Sequence, residues 1–327
     1  MNTSTQSKFK VVSLFSGCGG LDLGLHGGFT FLGKKYAENP LLVIYANDIN
    51  KAATETFKLN FPGVPVLNED ITKVLSGESL LPEEADLVVG GFPCQDFSLA
   101  GKRQGLNVQR GQLYLSMVET VRRTRPKIFL AENVKGLLLW EKGLAVETIK
   151  ADFAEIGYRV DHRLLNTADY GVPETRERVI IVGVRSDVEQ EFEWPAKTHS
   201  KNPEDSLLPW VTLKDALGDL EDDERHFSLA NSGYSKAKMF PGTQGNSVTK
   251  ADKPGPTMRA EHHGNIEFHY LGHRRLSARE AARIQSFPDD FVFWKSTTDA
   301  YRQVGNAVAP VFGWHLAQSV VKILNSK

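Results

Sequence analysis

An open α/β sheet is the fold class this 327-residue sequence predicts, and three observations predict it. Short apolar, β-branched runs recur along the first 185 residues with helical-period stretches between them. The first run passes directly into a glycine-rich turn and a helix start, the arrangement that binds nucleotide-like ligands in such sheets. The later runs end in Asn47-Asp48, Asp70-Ile71, Cys94 and Glu132, polar or reactive residues at the edge where an open sheet takes its ligand.

The first strand is Val11-Val12-Ser13-Leu14-Phe15, followed by Ser16-Gly17-Cys18-Gly19-Gly20-Leu21-Asp22. The glycine spacing is not that of a dinucleotide-binding turn, and no Gly-Lys-Ser/Thr phosphate loop is present. Residues 41–46 form the second strand and end at Asp48, before a helix over 51–59. Asp48 fits a ribose hydroxyl or a helix cap equally well, and Asp70, after a short run at 64–67, reads by itself as a cap. A glycine loop and two carboxylates at successive strand ends, with no phosphate site, suit S-adenosylmethionine better than NAD or ATP.

Residues 85–89 are the next strand, leading into Gly90-Gly91-Phe92-Pro93-Cys94-Gln95-Asp96-Phe97-Ser98. Pro93 ends any ladder and places Cys94 on a stiff loop, an unusual position for a packing cysteine. Gly101, Gly105 and Gly111, with Lys102, Arg103 and Arg110 between them, read as a lid that touches an anion. A helix over 112–123 and a strand over 127–131 follow, with Glu132 at the rim as a cap, an ion-pair partner or a proton donor. Next come a helix over 145–156, a strand over 158–165 and an apolar strand over 179–184. Arg176 and Arg178 open this last strand, and strict alternation would aim both at one side.

Beyond Ser186 the chain turns polar and Pro-interrupted, which predicts a small, loop-rich second domain over residues 186–289. The first domain comprises 1–185 and 290–327. Lys236, Lys238, Lys250, Arg259, His262 and His263 give the second domain basic and hydrogen-bonding groups, and no metal-ligand spacing recurs. Arg274-Arg275-Leu276-Ser277 opens a Ser-capped helix, and Gln303-Val304-Gly305-Asn306-Ala307 opens the closing one.

Hydrophobic content of 41% and charged content of 24% are those of an ordinary globular protein, with no apolar run of membrane length expected. No signal-peptide core follows Met1-Asn2-Thr3. The 2 cysteines, Cys18 and Cys94, cannot build a disulfide framework, so a reduced, cytoplasmic setting is expected. The net charge of -1 decides nothing about nucleic acid, since a local basic cleft is invisible in a sum.

Taken in order, these motifs resemble the cytosine-5 DNA methyltransferases of bacterial restriction-modification type. The likeness runs from Phe15-Ser16-Gly17-Cys18-Gly19-Gly20-Leu21 through Pro93-Cys94-Gln95, Glu132-Asn133-Val134 and Tyr170 to Arg178, ending at Gln303 to Pro310. Asp48 stands where many members have Glu, Glu174 where Gln is frequent, and Phe92 where many have a second proline.

The resemblance implies a doubly wound, mostly parallel, Rossmann-like sheet with a smaller DNA-recognition domain. It implies methyl transfer from S-adenosylmethionine to the 5-position of cytosine in duplex DNA, through a covalent Cys94 adduct and base flipping. It assigns catalysis to Cys94, Glu132, Arg176 and Arg178. The cofactor would rest on Phe15, Ser16, Gly17, Cys18, Gly19, Gly20, Leu21, Asp48, Ile49, Asp70, Ile71, Pro93, Leu113, Asn306 and Ala307. DNA would meet Gln95, Ser98, Arg110, Lys250 and Arg259. The expected protein is a monomer with no metal and no membrane attachment, beside a cognate restriction endonuclease that acts separately. A tRNA cytosine methyltransferase and a silent DNA-binding homologue are the other readings of the same scaffold.

Overall fold

The computed structural model describes residues 8–326 apart from 79, 94–112, 204–205, 241, 244 and 261–265. The chain runs β1 (Phe9–Leu14), α1 (Gly20–His26), a hairpin of β2 (Phe29–Phe31) and β3 (Lys34–Tyr36), β4 (Leu41–Asn47) and α2 (Lys51–Asn60). It continues through β5 (Val66–Leu67), α3 (Ile71–Lys73), β6 (Leu87–Gly90), α4 (Leu113–Thr124), β7 (Ile128–Val134), α5 (Leu144–Glu155), β8 (Tyr158–Asn166) and β9 (Glu177–Arg185). Seven of these strands make one sheet in the order β5-β4-β1-β6-β7-β9-β8. The five from β5 to β7 are parallel, and β9 runs antiparallel between β7 and β8.

Alternation along the strands divides the core between the two faces. Val11, Val43, Leu87, Val89, Leu130, Ile180 and Val182 point to one face, where α1 and the closing helix α10 (Pro310–Asn325) cover them. Val12, Leu14, Val88, Phe129, Val179 and Ile181 point to the other, against Met117 and Val121 of α4 and Ile149 and Phe153 of α5. With side chains of successive residues on opposite faces, strands buried on both sides must read as continuous apolar runs. That is why they are legible in the sequence, and why helices on both faces make the sheet doubly wound.

After β9 the chain leaves the large sheet. It forms a short parallel pair, β10 (His199–Ser200) and β11 (Leu208–Pro209), then α6 (Leu213–Leu217), α7 (Asp223–Ser228), α8 (Ala278–Ile284) and α9 (Thr297–Asn306). A third core joins Leu213, Leu217, Leu276, Ile284, Phe287, Phe291, Tyr301 and Val304, and Cys18 from the glycine loop packs into it. This core crosses residue 289, so α8 and α9 share one interior.

The absence of a membrane-length apolar run, expected from the sequence, needs one correction. Thr297–Asn325 is long and apolar enough by composition, but its most apolar window is 72% buried. The backbone also leaves the helix at Ala307–Ala309, and Pro310 restarts it as the first residue of α10. Its apolarity answers the sheet and α1.

The backbones of α1 and α10 pack in close contact. A Cβ on Gly24 would lie 2.5 Å from the Pro310 carbonyl oxygen and 2.7 Å from Gly313 Cα, both rigid backbone. Gly24→Ala would normally favour a helix by ~1 kcal/mol. Here overpacking reverses the sign, and we expect a net loss of about 1–3 kcal/mol in urea unfolding. A variant as stable as the parent would show that the two helices can part at no cost.

Candidate active site

The open end of the sheet begins with the turn after β1. Phe15, Gly17 and Gly19 take positive φ (51°, 55° and 91°), so the chain folds back tightly before α1. The Gly17 N–H donates to Asp48 Oδ2 at 2.8 Å, and the Asn50 N–H donates to Oδ1 at 2.7 Å. Burial pushes the Asp48 pKa up, while these two N–H groups pull it down. Asn47, buried at the end of β4, donates through Nδ2 to the carbonyls of Leu67 and Glu69 at 3.2 and 2.9 Å. That holds the Asp48 and Asp70 strand ends together. Above them, a Cβ on Gly17 would meet nothing within 4 Å, and Ile49 is 71% exposed. An open cradle with one carboxylate and one apolar side chain fits an adenosine group that carries no phosphate.

The expected cofactor residues divide into two sets. Phe15, Ser16 and Gly17 are half-buried along the cradle, Pro93 and Asn306 are exposed, and Leu113 is half-buried at the start of α4. Cys18, Gly19, Gly20, Leu21, Ile71 and Ala307 are buried in the protein. Burial pushes the Cys18 thiol up to about 12, so it packs as a small hydrophobe. Asp70 spends Oδ1 on the Thr72 N–H (2.9 Å) and hydroxyl (2.8 Å), as a cap of α3.

The reacting end is built by two neighbouring parallel strands. Gly90 of β6 pairs with Ala131 of β7, so the Gly91-Phe92-Pro93 loop leaves the sheet beside Glu132, which continues in β7 opposite Ile180 of β9. Asn133 Nδ2 donates to the Phe92 carbonyl at 3.0 Å and fixes the loop against β7. A Cβ on Gly91 would stand 3.1 Å from Glu132 Oε2, so glycine here leaves the carboxylate its room. Cys94, Gln95, Ser98 and Arg110 lie outside the described residues.

Arg178 faces Val134 across the antiparallel β7–β9 pair and reaches back to Glu132, with Nε 2.7 Å from Oε1. Both side chains are only 11% exposed, so the pair sits at the rim with little water. Charge pairing in this setting orients the carboxylate and keeps a guanidinium beside any anion that enters.

Arg176 does not join them. The expectation of two arginines on one side fails because β9 begins at Glu177, so strand alternation does not extend back to Arg176. Its side chain is 2% exposed and donates to the carbonyls of Met258 (2.8 Å), Gly305 (2.8 Å) and Ala307 (3.1 Å). Lys250 and Arg259 are exposed on the segment these bonds anchor. Asn47, Asn133 and Gly91 are site residues to which the sequence reading gave no separate role. Each acts through backbone contacts between distant segments, which no local pattern records.

One further carboxyl lies beneath the cradle. Asp22, on α1, is 1% exposed, and burial pushes its pKa up to about 7 against the opposing effect of the Ser13 hydroxyl.

Comparison with known proteins agrees with this geometry. The family model for C-5 cytosine-specific DNA methylase matches residues 9–255 and 235–322. The Type II methyltransferase M.NgoFVII of Neisseria gonorrhoeae is 37% identical over 98% of this chain and 89% of its own length. M.BsuRI of Bacillus subtilis, also a Type II methyltransferase, is 38% identical over 92% of this chain and 76% of its own. Among solved structures, a putative DNA modification methyltransferase from an E. coli prophage superposes with a TM-score of 0.69 at 23% identity, covering 98% of this chain and 100% of that one. Dnmt2 methyltransferase of S. pombe gives a TM-score of 0.67 at 20% identity, over 97% and 100%. These two show the same fold. The chain belongs to the C-5 cytosine-specific DNA methylase family and is a DNA cytosine-5 methyltransferase.

The Asp22 carboxyl gives a pH prediction. Folded, it holds its proton up to about pH 7, whereas the unfolded carboxyl releases it near 3.8. Its contribution to stability is therefore complete below about pH 4 and is lost as pH rises to 7. Asp22→Asn, which cannot ionise, should exceed the parent in unfolding free energy in urea at pH 8 by about 1–3 kcal/mol and match it near pH 3. An equal difference at both pH values would place the parent carboxyl in one charge state throughout.

Proposed function

We propose that this enzyme transfers a methyl group from S-adenosylmethionine to the 5-position of a cytosine flipped out of duplex DNA, with Cys94 as the covalent nucleophile. The observation that carries the reading is the Glu132–Arg178 pair beside the loop that leads to Cys94. Cytosine is a poor nucleophile at carbon 5. Addition of the Cys94 thiolate at carbon 6 turns the ring into an enamine and makes carbon 5 electron-rich. Glu132 holds or protonates N3 and the adjacent amino group, which lowers the cost of that addition. Arg178 sits against the base carbonyl and keeps the Glu132 carboxylate aimed.

S-adenosylmethionine supplies an electrophilic methyl group on a sulfonium, and Phe15, Ser16, Gly17, Asp48 and Ile49 would hold it. Loss of the carbon 5 proton and elimination of Cys94 then restore the aromatic ring and the free thiol. The target atom is inaccessible inside a stacked duplex, so the base must swing out and the segment from Ser98 to Gln112 must close over it.

Residues 186–289 read the DNA sequence in this proposal, with Lys250 and Arg259 on phosphates or base edges. The chain acts as a monomer in the cytoplasm, beside a separate restriction endonuclease of the same specificity.

Trapping on duplex DNA that carries 5-fluorocytosine, with labelled S-adenosylmethionine, tests the mechanism. The fluorine cannot leave as a proton does, so the wild type should form a stable labelled protein–DNA adduct. Cys94→Ala should form none, and Glu132→Gln should trap about 10²–10⁴-fold more slowly. RNA trapped in place of DNA would move the substrate to tRNA. DNA bound without any adduct or methyl transfer would leave a binding protein.

A further inference from the structure

We infer that Glu174 and Arg176 are positioning residues that tie the cofactor site and the DNA-reading segment to one buried anchor. The inference rests on the proposed function, because it concerns the two ligands named there. It begins from the placement of Arg176, which touches neither the cradle nor the Glu132–Arg178 pair. Its guanidinium joins two segments far apart in sequence: Nη1 donates to the Met258 carbonyl, and Nη2 to those of Gly305 and Ala307. Asn306, the residue expected to close the cofactor pocket, lies between the last two. Arg259, expected on DNA, directly follows Met258.

Glu174 completes the anchor from the opposite side. Wholly buried, it accepts the Met258 N–H on Oε1 at 2.5 Å and lies 3.7 Å from Arg176 Nη1. Met258 is thus gripped at both its N–H and its carbonyl by an oppositely charged pair. The backbone on either side is stitched as well. Thr175 N–H donates to Gly255 O, Gly255 N–H donates to Pro173 O, and the Thr257 hydroxyl donates to Thr175 O. A Cβ on Gly305 would come within 2.3 Å of both the Arg259 carbonyl carbon and Ala260 N, so the two segments are in direct backbone contact. Arg178 is two residues along the same chain, so the anchor also sets where β9 begins.

A buried arginine whose two terminal nitrogens donate to fixed carbonyls, as those of Arg176 do, is costly to disturb and orders whatever carries those carbonyls. Here the carriers are the 305–307 turn and the 255–260 segment. Loosening the anchor should therefore weaken both ligands together, although Arg176 contacts neither. A group that acts on the reacting atoms only in the transition state would instead lower kcat and leave both KM values unchanged.

Steady-state methylation of linearised, unmethylated plasmid DNA with labelled S-adenosylmethionine tests this, on the wild type, Arg176→Lys, Gly305→Ala, Glu174→Ala and Glu174→Gln. Arg176→Lys and Gly305→Ala should each raise KM for both the cofactor and the DNA about tenfold, with a smaller fall in kcat. Gly305→Ala pushes the same contact apart without touching the arginine, so it stands in if Arg176→Lys does not fold, and thermal melting reports folding. Glu174→Gln keeps the accepting oxygen and should recover most of what Glu174→Ala loses. A fall in kcat with both KM values unchanged would make Arg176 a catalytic group and overturn the inference. So would a change in only one KM. A wild type that methylates no DNA would overturn the proposed function itself, and the inference with it.

Discussion

The contact on which the rest of the molecule depends is the return of the C-terminal segment onto the first helix. α10 is apolar around most of its circumference and can be stable only inside the protein, where Val311, Phe312, Leu316, Val320 and Ile323 complete the core on one face of the sheet. Gly24 and Gly313 let the backbones of α1 and α10 meet at van der Waals distance. The consequence reaches the functional end. Once α10 is fixed, Ala307 is fixed beside Gly20, and the glycine loop after β1 acquires a back wall of buried side chains, Cys18 among them. The cradle faces solvent on one side only because that wall closes the other.

Charge is handled in two ways at the end of the β7–β9 contact where β9 begins. Glu132 and Arg178 keep some exposure and are positioned by strand register, a setting in which a carboxylate can be oriented while remaining able to meet an incoming base. Glu174 and Arg176, one turn of chain earlier, are sealed and serve only protein partners. Two Glu–Arg pairs thus meet at the entry to β9, one left partly exposed at the rim and the other spent on backbone. Burial decides between them, since a charge already satisfied by fixed carbonyls has little left to offer a substrate.

Much of the sheet was legible because its strands are buried on both faces and so appear as uninterrupted apolar runs. Asp48 follows directly on the end of β4 as the sequence suggests, whereas Glu132, expected just past its strand, lies inside β7, which runs on to Val134. The antiparallel direction of β9 was not legible, because an apolar run such as Val179-Ile180-Ile181-Val182 carries no sign of its direction. The β2–β3 hairpin was missed as well: three-residue strands are too short for alternation, and its turn places Leu32, an unusual residue for positive φ, before Gly33. Arg176 falls outside the alternation that pairs it with Arg178 in the sequence, because β9 begins one residue after it.

The region between β9 and α9 shows where sequence reading reaches its limit. Its loop-rich character was plain from Pro, Gly and Ser content, and the Ser277 cap appears as a full capping box with Glu280. What orders the loops was not plain. Arg275 and Arg279, each at most 1% exposed, donate into carbonyls of segments that pass over them: Ala237, Lys238, Gly245 and Ile266 for the first, Ala230, Pro288 and Phe291 for the second. In the sequence these arginines mark only the start of a Ser-capped helix. In the fold they stand in for a sheet, meeting backbone carbonyls that irregular chain leaves without ladder partners. A domain built this way can change its surface loops while keeping its interior, because the interior bonds are made to backbone atoms that every residue type supplies. Variation in what such loops contact therefore need not disturb the buried arginines beneath them.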